Sequence, residues 1–533
     1  MNNAELIVQI LKKVGTTHGF GIPSGNVLPL MEAMRLHDLP FVLTAHEGSA
    51  GFAADVMGRM LEVPGLCIAT LGPGATNLAT GVGNAWLDRS PMIAITCNLQ
   101  TDQLGRRIQM YIDHHQLFRP ITKATLALRE GCVAATVAEA VKIAMSEPRG
   151  PVHLDLPEDV ALATATETIP EIPSFAPIAS ASSESVNAGL EVMAMARRPI
   201  ALFGSNSMRM RDPGLLLSFI EHHGLPFCTT TMAKGMIDED HPLSIGCIER
   251  GKRQLQRSFL HSSDLIVGVG YDTIEVEYEA WIGDTPLLQI DIEKADVSAS
   301  VDVKGEVIGD LDNSLEQMVA TDPTSNVWGQ DEIDGHRLKF HAALRPSATT
   351  FTPHEAIDVV RDILPPEGIL TFDVGAHTHQ IASQWVAHFP KTFHITNGWS
   401  SMGFGLPSAI AAKLARPDLS VVCILGDGCF QMTCGEMATA KRLGICLPVI
   451  VLDDRWLGLI RVKQQRRQLP VYGTALQEED YSEPPAHYFG VPAVGVRDAE
   501  ALREKLSQAL ESKGPTVIEA IVDAEHYLDT VFD

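Results

Sequence analysis

The chain has 533 residues, 45% of them hydrophobic and 20% charged, which is enough for about three domains with separate cores. Its formal net charge of −25 argues against a polyanionic partner such as nucleic acid. No apolar run reaches the length of a membrane span, and the nine cysteines include no C-x-x-C pair. We therefore expect a cytoplasmic globular protein without a membrane, nucleic-acid or zinc partner.

The amino-terminal region alternates helical and strand patterns. The start, MNNAELIVQILKKVG, has the apolar spacing of an amphipathic helix rather than that of a signal peptide. The glycines at 19, 21 and 25 follow a predicted strand but miss the dinucleotide-binding spacing G-x-G-x-x-G. After a second short strand, Glu47 lies in the first turn of a helix rich in small residues. A carboxylate in that position can cap the helix through its dipole.

Two stretches without hydrophobic periodicity divide the chain. Residues 161–185, rich in Ala, Thr, Ser and Pro, are predicted to form one linker, and residues 320–350, with few apolar side chains, a second. Between them, predicted strands at 225–230, 264–270 and 286–292 alternate with helices, which indicates a parallel sheet. The predicted fold is α/β, with three doubly wound parallel-sheet domains at residues 1–160, 186–320 and 351–533.

The most specific chemistry lies in the last domain. A predicted buried strand at 421–425 runs into Gly-Asp-Gly at 426–428, and the next strand, at 447–452, is followed by Asp454. Adjacent parallel strands would deliver Asp427 and Asp454 to the same sheet edge, where open α/β sheets bind ligands. Glycines let the backbone approach a bulky anion, and two carboxylates supply part of a Mg²⁺ shell. Taken alone, Gly-Asp-Gly is equally compatible with an ordinary tight turn.

Gly-Asp-Gly followed about thirty residues later by a pair of Asn or Asp resembles the cofactor signature of thiamine-diphosphate enzymes. The stretch TLGPGATNLATGVGNAWLDRSPMIAIT at 70–96, together with Glu47, is similar to the pyrimidine-binding domain of the acetolactate synthase and pyruvate oxidase group. The resemblance spans nearly the whole chain and is strongest at 15–125 and 368–465. It implies thiamine diphosphate and Mg²⁺ as cofactors, held between a pyrimidine-binding domain and a diphosphate-binding domain. Along the chain, a central domain separates these two domains.

The resemblance also implies roles for single residues. Glu47 would be the catalytic residue, bonded to N1′ of the aminopyrimidine. Asp427, Asp454 and the backbone carbonyl of Trp456 would hold the metal ion. Asp454 departs from the usual Asn, which adds a negative charge beside the diphosphate.

Further cofactor and substrate contacts follow from the same resemblance. Met402 would push the two cofactor rings into their bent arrangement, and the carbonyl of Ser400 would accept a hydrogen bond from the 4′-nitrogen. The remaining predicted cofactor contacts are Pro23, Thr70, Gly72, Asn77, Gly375, His377, Gly426, Asp427, Gly428 and Cys429. The predicted substrate pocket consists of Asn98, Gln109, Leu457 and Ile460.

Three departures separate the chain from the biosynthetic acetolactate synthases. The stretch at 109–123 lacks their Phe-Gln-Glu, the position of a Trp that holds a larger acceptor is Lys463, and the segment 270–281 lacks the Arg associated with FAD. These features are closer to the FAD-free fermentative branch, so we do not expect FAD. His114 and His115 lack the spacing of the paired His of pyruvate decarboxylase and are interpreted as ordinary core or surface side chains.

The resemblance therefore predicts a carboligase and transferase that decarboxylates a 2-oxo acid, with pyruvate favoured, and passes the acyl unit to a small-molecule acceptor, as acetolactate synthase does. Alternatives are a simple 2-oxo-acid decarboxylase, an acyl transferase or lyase of the same family, and a catalytically silent binding protein. Because the two cofactor domains meet across a two-fold axis in the family, we expect at least a homodimer and favour a homotetramer. Small-residue helix faces at 50–59 and 76–86 would suit such an interface.

Overall fold

Three parallel β-sheets form the framework of the protein. The computed structural model describes residues 1–172, 175, 177–276, 281–476 and 479–531. Within these residues every strand pairing inside the sheets is parallel, and each sheet has six strands with helices between them. The predicted α/β fold with three doubly wound sheets is confirmed. Among the described residues no helix combines the length and the apolar character needed to cross a bilayer.

The first sheet lies in the amino-terminal part of the chain. Its strands are β1 (Gly19–Gly21), β2 (Phe41–Leu43), β3 (Gly65–Thr70), β4 (Met92–Asn98), β5 (Ala124–Ala127) and β6 (Pro151–Pro157), in the order β2-β1-β3-β4-β6-β5. Its helices are α1 (Asn3–Val14), α2 (Leu28–Leu36), α3 (Glu47–Leu61), α4 (Pro73–Leu87), α5 (His114–Phe118), α6 (Val133–Met145) and α7 (Glu158–Leu162). The strand order reverses between β1 and β3, which opens a ligand-sized crevice at their carboxyl ends.

The second sheet belongs to the middle of the chain. Its strands are β7 (Pro199–Phe203), β8 (Phe227–Thr229), β9 (Ser244–Cys247), β10 (Leu265–Val269), β11 (Leu287–Asp291) and β12 (Val303–Ile308), in the order β12-β11-β10-β7-β8-β9. Its helices are α8 (Ser183–Met195), α9 (Gly214–His223), α10 (Arg253–Leu260), α11 (Leu311–Val319) and α12 (Gln330–Ala343). The last of these lies inside the stretch predicted as a second linker. That stretch is therefore not a simple tether, because Ile333, His336 and Phe340 are buried beside the second sheet.

The third sheet carries the Gly-Asp-Gly motif. Its strands are β13 (Ile369–Phe372), β14 (Phe393–His394), β15 (Val421–Gly426), β16 (Leu447–Asp453), β17 (Ala493–Val496) and β18 (Pro515–Ile521), in the order β14-β13-β15-β16-β18-β17. Its helices are α13 (Pro353–Ile363), α14 (Ala376–Gln384), α15 (Gly405–Ala415), α16 (Asp427–Thr433), α17 (Glu436–Leu443), α18 (Gly458–Arg466), α19 (Ala499–Leu510) and α20 (His526–Thr530). The two strands predicted around Asp427 and Asp454 are β15 and β16, and they are neighbours.

The first and third domains meet through close helix packing. Helices α3 and α4 cross so tightly that a Cβ atom on Gly51 would lie 2.7 Å from the Cα of Gly81. Helix α15 packs on α3, with the rings of Phe52 and Phe404 edge to face at 5.7 Å. The small-residue faces predicted for a subunit interface are thus used, at least in part, inside one chain.

A buried ionic cluster ties the same two domains together. The Arg59 guanidinium donates to both oxygens of Asp55, at 2.8 and 2.6 Å, and to Asp88 at 2.7 Å. It also donates to the carbonyl of Ile395 in the third domain at 3.0 Å. Both carboxylates are almost fully buried, so each depends on this one cation.

Replacing Arg59 with Met should lower the free energy of unfolding by about 3–5 kcal/mol, because Asp55 and Asp88 would stay buried without their cation. Urea unfolding followed by circular dichroism measures the change. Arg35→Met is the control: its ion pair with Glu32 lies at the surface, with 68% of the Arg35 side chain exposed, and should contribute at most about 1 kcal/mol. Equal unfolding midpoints for the two variants would contradict a central role for the cluster.

Candidate active site

A cavity of about 230 Å³ lies at the carboxyl ends of β13, β15 and β16. The strand order of the third sheet reverses between β13 and β15, so the cavity occupies the position where open α/β sheets bind ligands. Every residue predicted from the sequence in this domain lines it, namely Gly375, His377, Ser400, Met402, Gly426, Asp427, Gly428, Cys429, Asp454, Trp456, Leu457 and Ile460.

Two buried carboxylates, Asp427 and Asp454, line this cavity, and Asp453 lies beside them without lining it. Asp427, Asp453 and Asp454 are 3%, 0% and 7% exposed. Asp427 accepts from the backbone N–H of Gly428 at 2.8 Å, and Asp454 accepts from that of Trp456 at 2.9 Å. Burial raises the pKa of Asp427 and of Asp454, and the charge of Asp454 raises the pKa of Asp427 further. A divalent cation between these oxygens would relieve both effects, so the donor set fits Mg²⁺.

The same cavity also contains groups that fit an anion. His377 is buried, and its Nε2 has no hydrogen-bond partner among the described residues. Burial lowers the pKa of His377 to about 3, so the ring is neutral at physiological pH. Glycine is required around it, because a Cβ atom on Gly375 or Gly426 would lie 2.5 or 2.9 Å from the ring. An unpartnered ring nitrogen between glycines suits the oxygens of a diphosphate.

The loop that carries Ser400 and Met402 is held at both ends by carboxylates. Asp88 of the first domain accepts from the backbone N–H groups of Asn397 and Gly398 at 3.1 and 2.7 Å. Asp373, fully buried, accepts from the N–H groups of the two glycines at 403 and 405, at 3.0 and 2.9 Å. Ser400 has a φ of 50°, which a residue with a side chain rarely adopts. This support explains how the loop keeps that conformation.

Glu47 is held in a polar setting at the start of α3. It is 8% exposed, and its Oε2 accepts from the Nδ2 of Asn77 on α4 at 3.0 Å. The turn before it is fixed from the third domain, because the N–H of Ala45 donates to Glu436 at 2.9 Å. The pair predicted to contact the pyrimidine is therefore adjacent and preorganised.

The other predicted pyrimidine contacts lie at the crevice between β1 and β3. Pro23 follows β1, and the hydroxyl of Ser24 donates to that of Thr70, at the end of β3, at 2.6 Å. Gly72 has a φ of 62°, and a Cβ atom there would collide with the carbonyl of Met110. Only glycine suits this position.

The two halves of the predicted site do not line one common cavity among the described residues. The residues that line the cavity of the third domain all lie between Val374 and Tyr527. No described residue of the first domain, Glu47 included, is among them. The first domain supplies its groups at a different crevice.

Two predicted substrate residues lie in the first domain, in contrasting settings. Asn98 is 1% exposed and donates to both oxygens of Asp155, at 3.0 and 3.2 Å, whereas Gln109 is exposed on a loop. His114 is buried beside them, and its Nε2 accepts from the N–H of Gly72 at 3.2 Å. It is therefore a core histidine that supports the crevice backbone.

The central domain has the same type of crevice, but the chain itself closes it. A Cβ atom on Gly204, after β7, would collide with the backbone of Tyr271, after β10. The N–H of Ser205 donates to Glu275 at 2.8 Å, and burial raises the pKa of Glu275 to about 8. Part of the segment in which no FAD-associated Arg was found, residues 277–280, lies outside the described residues.

The sequence analysis did not predict some residues that line or support the site. Tyr527, at the far carboxyl end, lines the cavity although no motif precedes it. Asp373 and Asp88 position the Met402 loop from two different domains. Asp373 stands within the motif that leads to His377, but nothing in the spacing indicated its role.

Comparisons with known proteins agree with this geometry. The chain matches models of the N-terminal TPP binding domain of thiamine pyrophosphate enzymes at residues 1–117, of their central domain at 186–318 and of their C-terminal TPP binding domain at 373–520. Across its full length it is 30% identical to the probable acetolactate synthase large subunits of Methanococcus aeolicus and Methanocaldococcus jannaschii, covering 94% and 93% of them. It is 29% identical to the acetolactate synthase isozyme 1 large subunit of Escherichia coli (strain K12), over 98% of this chain and 94% of that one. The chain belongs to the family of thiamine pyrophosphate enzymes.

Proposed function

We propose that the protein decarboxylates pyruvate and joins the resulting two-carbon acyl unit to a second 2-oxo acid, giving acetolactate, with thiamine diphosphate and Mg²⁺ as cofactors. The observation that carries this proposal is the cavity that a carboxylate pair and an unpartnered histidine line together. The relatives at 29–30% identity are named acetolactate synthase large subunits, and these names indicate the reaction that we propose. When bound, thiamine diphosphate provides the electron sink for the charge left behind as carbon dioxide departs.

The chain's own residues bind and orient the cofactor. Asp427, Asp454 and the carbonyl of Trp456 would hold Mg²⁺, and His377, which lines the same cavity with an unpartnered ring nitrogen, would donate to a diphosphate oxygen. Glu47, which Asn77 orients, would exchange a proton with N1′ of the pyrimidine.

The cavity wall supports a small aliphatic substrate. Leu457 and Ile460 line it and present apolar surface to the methyl group of pyruvate. Ile460 is 44% exposed, which places it at the mouth, where it excludes water from the reacting atoms once substrate is bound. Asn98 and Gln109 remain the predicted polar contacts from the first domain.

Purified protein with thiamine diphosphate and Mg²⁺ should convert pyruvate to acetolactate and release one carbon dioxide for each acetolactate formed. Mass spectrometry of the products, with added aldehydes in parallel, measures this. Glu47→Gln should lower kcat about 10²–10⁴-fold, because proton transfer at the pyrimidine is lost. The control is Glu32→Gln, which changes a surface carboxylate that is 56% exposed and should leave kcat unchanged. Acetaldehyde as sole product would favour a simple decarboxylase, and no carbon dioxide from any 2-oxo acid tested would favour a silent binding protein.

We further propose that the active unit is at least a homodimer, with a homotetramer expected, and that each site combines two subunits. The separation of Glu47 from the third-domain cavity supports this, because neither half alone contacts the whole cofactor. Large apolar side chains are exposed in both domains, among them Leu43 at 39%, Trp399 at 39% and Met432 at 63%. Such exposure is typical of surfaces that a second copy covers.

Co-expressing Glu47→Gln and Asp427→Ala chains with different tags should yield an active heterodimer from two inactive parents. One of its two sites would contain both lesions and the other neither, so about half of the wild-type activity should return. Activity of the purified heterodimer is compared with that of each parent homodimer. A heterodimer as inactive as its parents would mean that each chain builds its own site.

The central domain is proposed to bind no flavin. Support comes from the crevice between β7 and β10, where backbone contacts leave no opening and Glu275 takes the N–H group of Ser205. This buried carboxyl already occupies a backbone N–H group that a dinucleotide diphosphate would need. We also propose that the protein is cytoplasmic, as predicted from its sequence.

Protein purified without added flavin should be colourless, because the central crevice offers no room or N–H group for a diphosphate. The absorption spectrum and the supernatant after heat denaturation are compared with a flavin standard. A yellow preparation with one flavin per chain would refute this prediction.

A further inference from the structure

Tyr527 brings a polar group into the third-domain cavity from the far carboxyl end of the chain. It lies on α20, is 2% exposed and lines the cavity together with Asp427, Asp454 and Trp456. Its hydroxyl makes no hydrogen bond with another described residue and is not among the fully buried polar atoms that lack a partner. A hydroxyl at a cavity wall without a protein partner is free to donate to a ligand.

The surroundings of this phenol make it a permanent hydrogen-bond donor. Burial raises its pKa well above the usual value, and the charges of Asp454 and Asp427 raise the pKa further. The hydroxyl therefore keeps its proton at any pH at which the protein works. A neutral O–H group that stays protonated is suited to an anionic oxygen rather than to a metal ion.

The short helix that carries Tyr527 is anchored on both sides. Arg461 of α18 pairs with Glu525, and Arg466 donates to the carbonyl of Leu528 at 2.7 Å. From the central domain, the N–H of Lys252 donates to the carbonyl of Thr530 at 2.9 Å. These contacts fix the phenol at the cavity instead of leaving it on a loose terminus.

The phenol ring packs beside the start of the helix that is expected to bind the diphosphate. It packs in one apolar cluster with Ala376 and Val462, and Ala376 is the first residue of α14, whose second residue is His377. The amino terminus of this nine-residue helix and the unpartnered nitrogen of His377 mark the expected place of the phosphate groups. Tyr527 thus approaches the same region from the opposite end of the sequence.

We propose that Tyr527 is a cofactor-binding residue whose hydroxyl donates a hydrogen bond to a diphosphate oxygen. The inference rests on the proposed thiamine-diphosphate function and adds to it a contact that no motif of the chain indicates. Because the carboxylates of Asp427 and Asp454 line the same cavity, a further donor to the diphosphate offsets part of the repulsion between these carboxylates and the phosphate oxygens.

Tyr527→Phe tests this assignment, since it removes only the hydroxyl. Isothermal titration calorimetry of thiamine diphosphate into the full chain, at saturating Mg²⁺, should give a Kd at least about tenfold higher than wild type. The melting temperature without cofactor should be unchanged or slightly higher, because the lost hydroxyl had no partner there.

Tyr481→Phe is the matched control in the same domain. Tyr481 is 3% exposed, and its hydroxyl accepts from Gln431 at 2.6 Å outside the cavity, so this variant should lose stability and keep the wild-type Kd. Equal Kd values for Tyr527→Phe and wild type would overturn the inference. Wild-type protein that binds no thiamine diphosphate would instead overturn the proposed function, so the two failures are distinguishable.

Discussion

The mutual repulsion of buried carboxylates is the constraint on which the site depends. Asp427, Asp453 and Asp454 reach one edge of the third sheet because β15 and β16 are adjacent, parallel and buried. Without a cation, burial and the neighbouring negative charge raise the pKa of Asp427 and of Asp454, which disfavours the charged forms of these two side chains. A protein that keeps such a cluster gives up stability there, as binding sites commonly do. The tight sheet around it supplies the rigidity that holds the oxygens in place.

A second group of buried charges connects this edge to the rest of the molecule. Arg59 neutralises Asp55 and Asp88. Asp88 also accepts a hydrogen bond from the backbone N–H of Gly398, in the loop that precedes Met402. The docking of the first domain on the third and the shape of the cofactor pocket therefore share the same hydrogen bonds. A change in the contact between the two domains would therefore shift the Met402 loop at the cavity, although neither Arg59 nor Asp55 lines the cavity.

The three domains repeat one architecture with three different outcomes. In each sheet the strand order reverses at an interior pair of strands (β1 and β3, β7 and β10, β13 and β15), and such a reversal creates a crevice at the carboxyl ends of the two strands. The first crevice is lined by Thr70 and Gly72, and the third is an open cavity with acidic and glycine-rich walls. The second is closed by its own backbone and by Glu275. Sheet topology thus sets where a ligand can bind, and the loops decide whether one does.

The sequence by itself determined the parallel α/β fold and which residues of the third domain gather at one cavity. Both follow from local patterns, because buried strands read as apolar runs and the residues after neighbouring strands must meet at one edge. Only the tertiary structure decided the roles of Tyr527, Asp373 and Asp88, the closed central crevice and the packing of α12. Each of these depends on contacts between segments far apart in the chain, and no local spacing encodes such contacts. The same reason explains why the small-residue faces of α3 and α4, predicted for a partner, are found packed on each other.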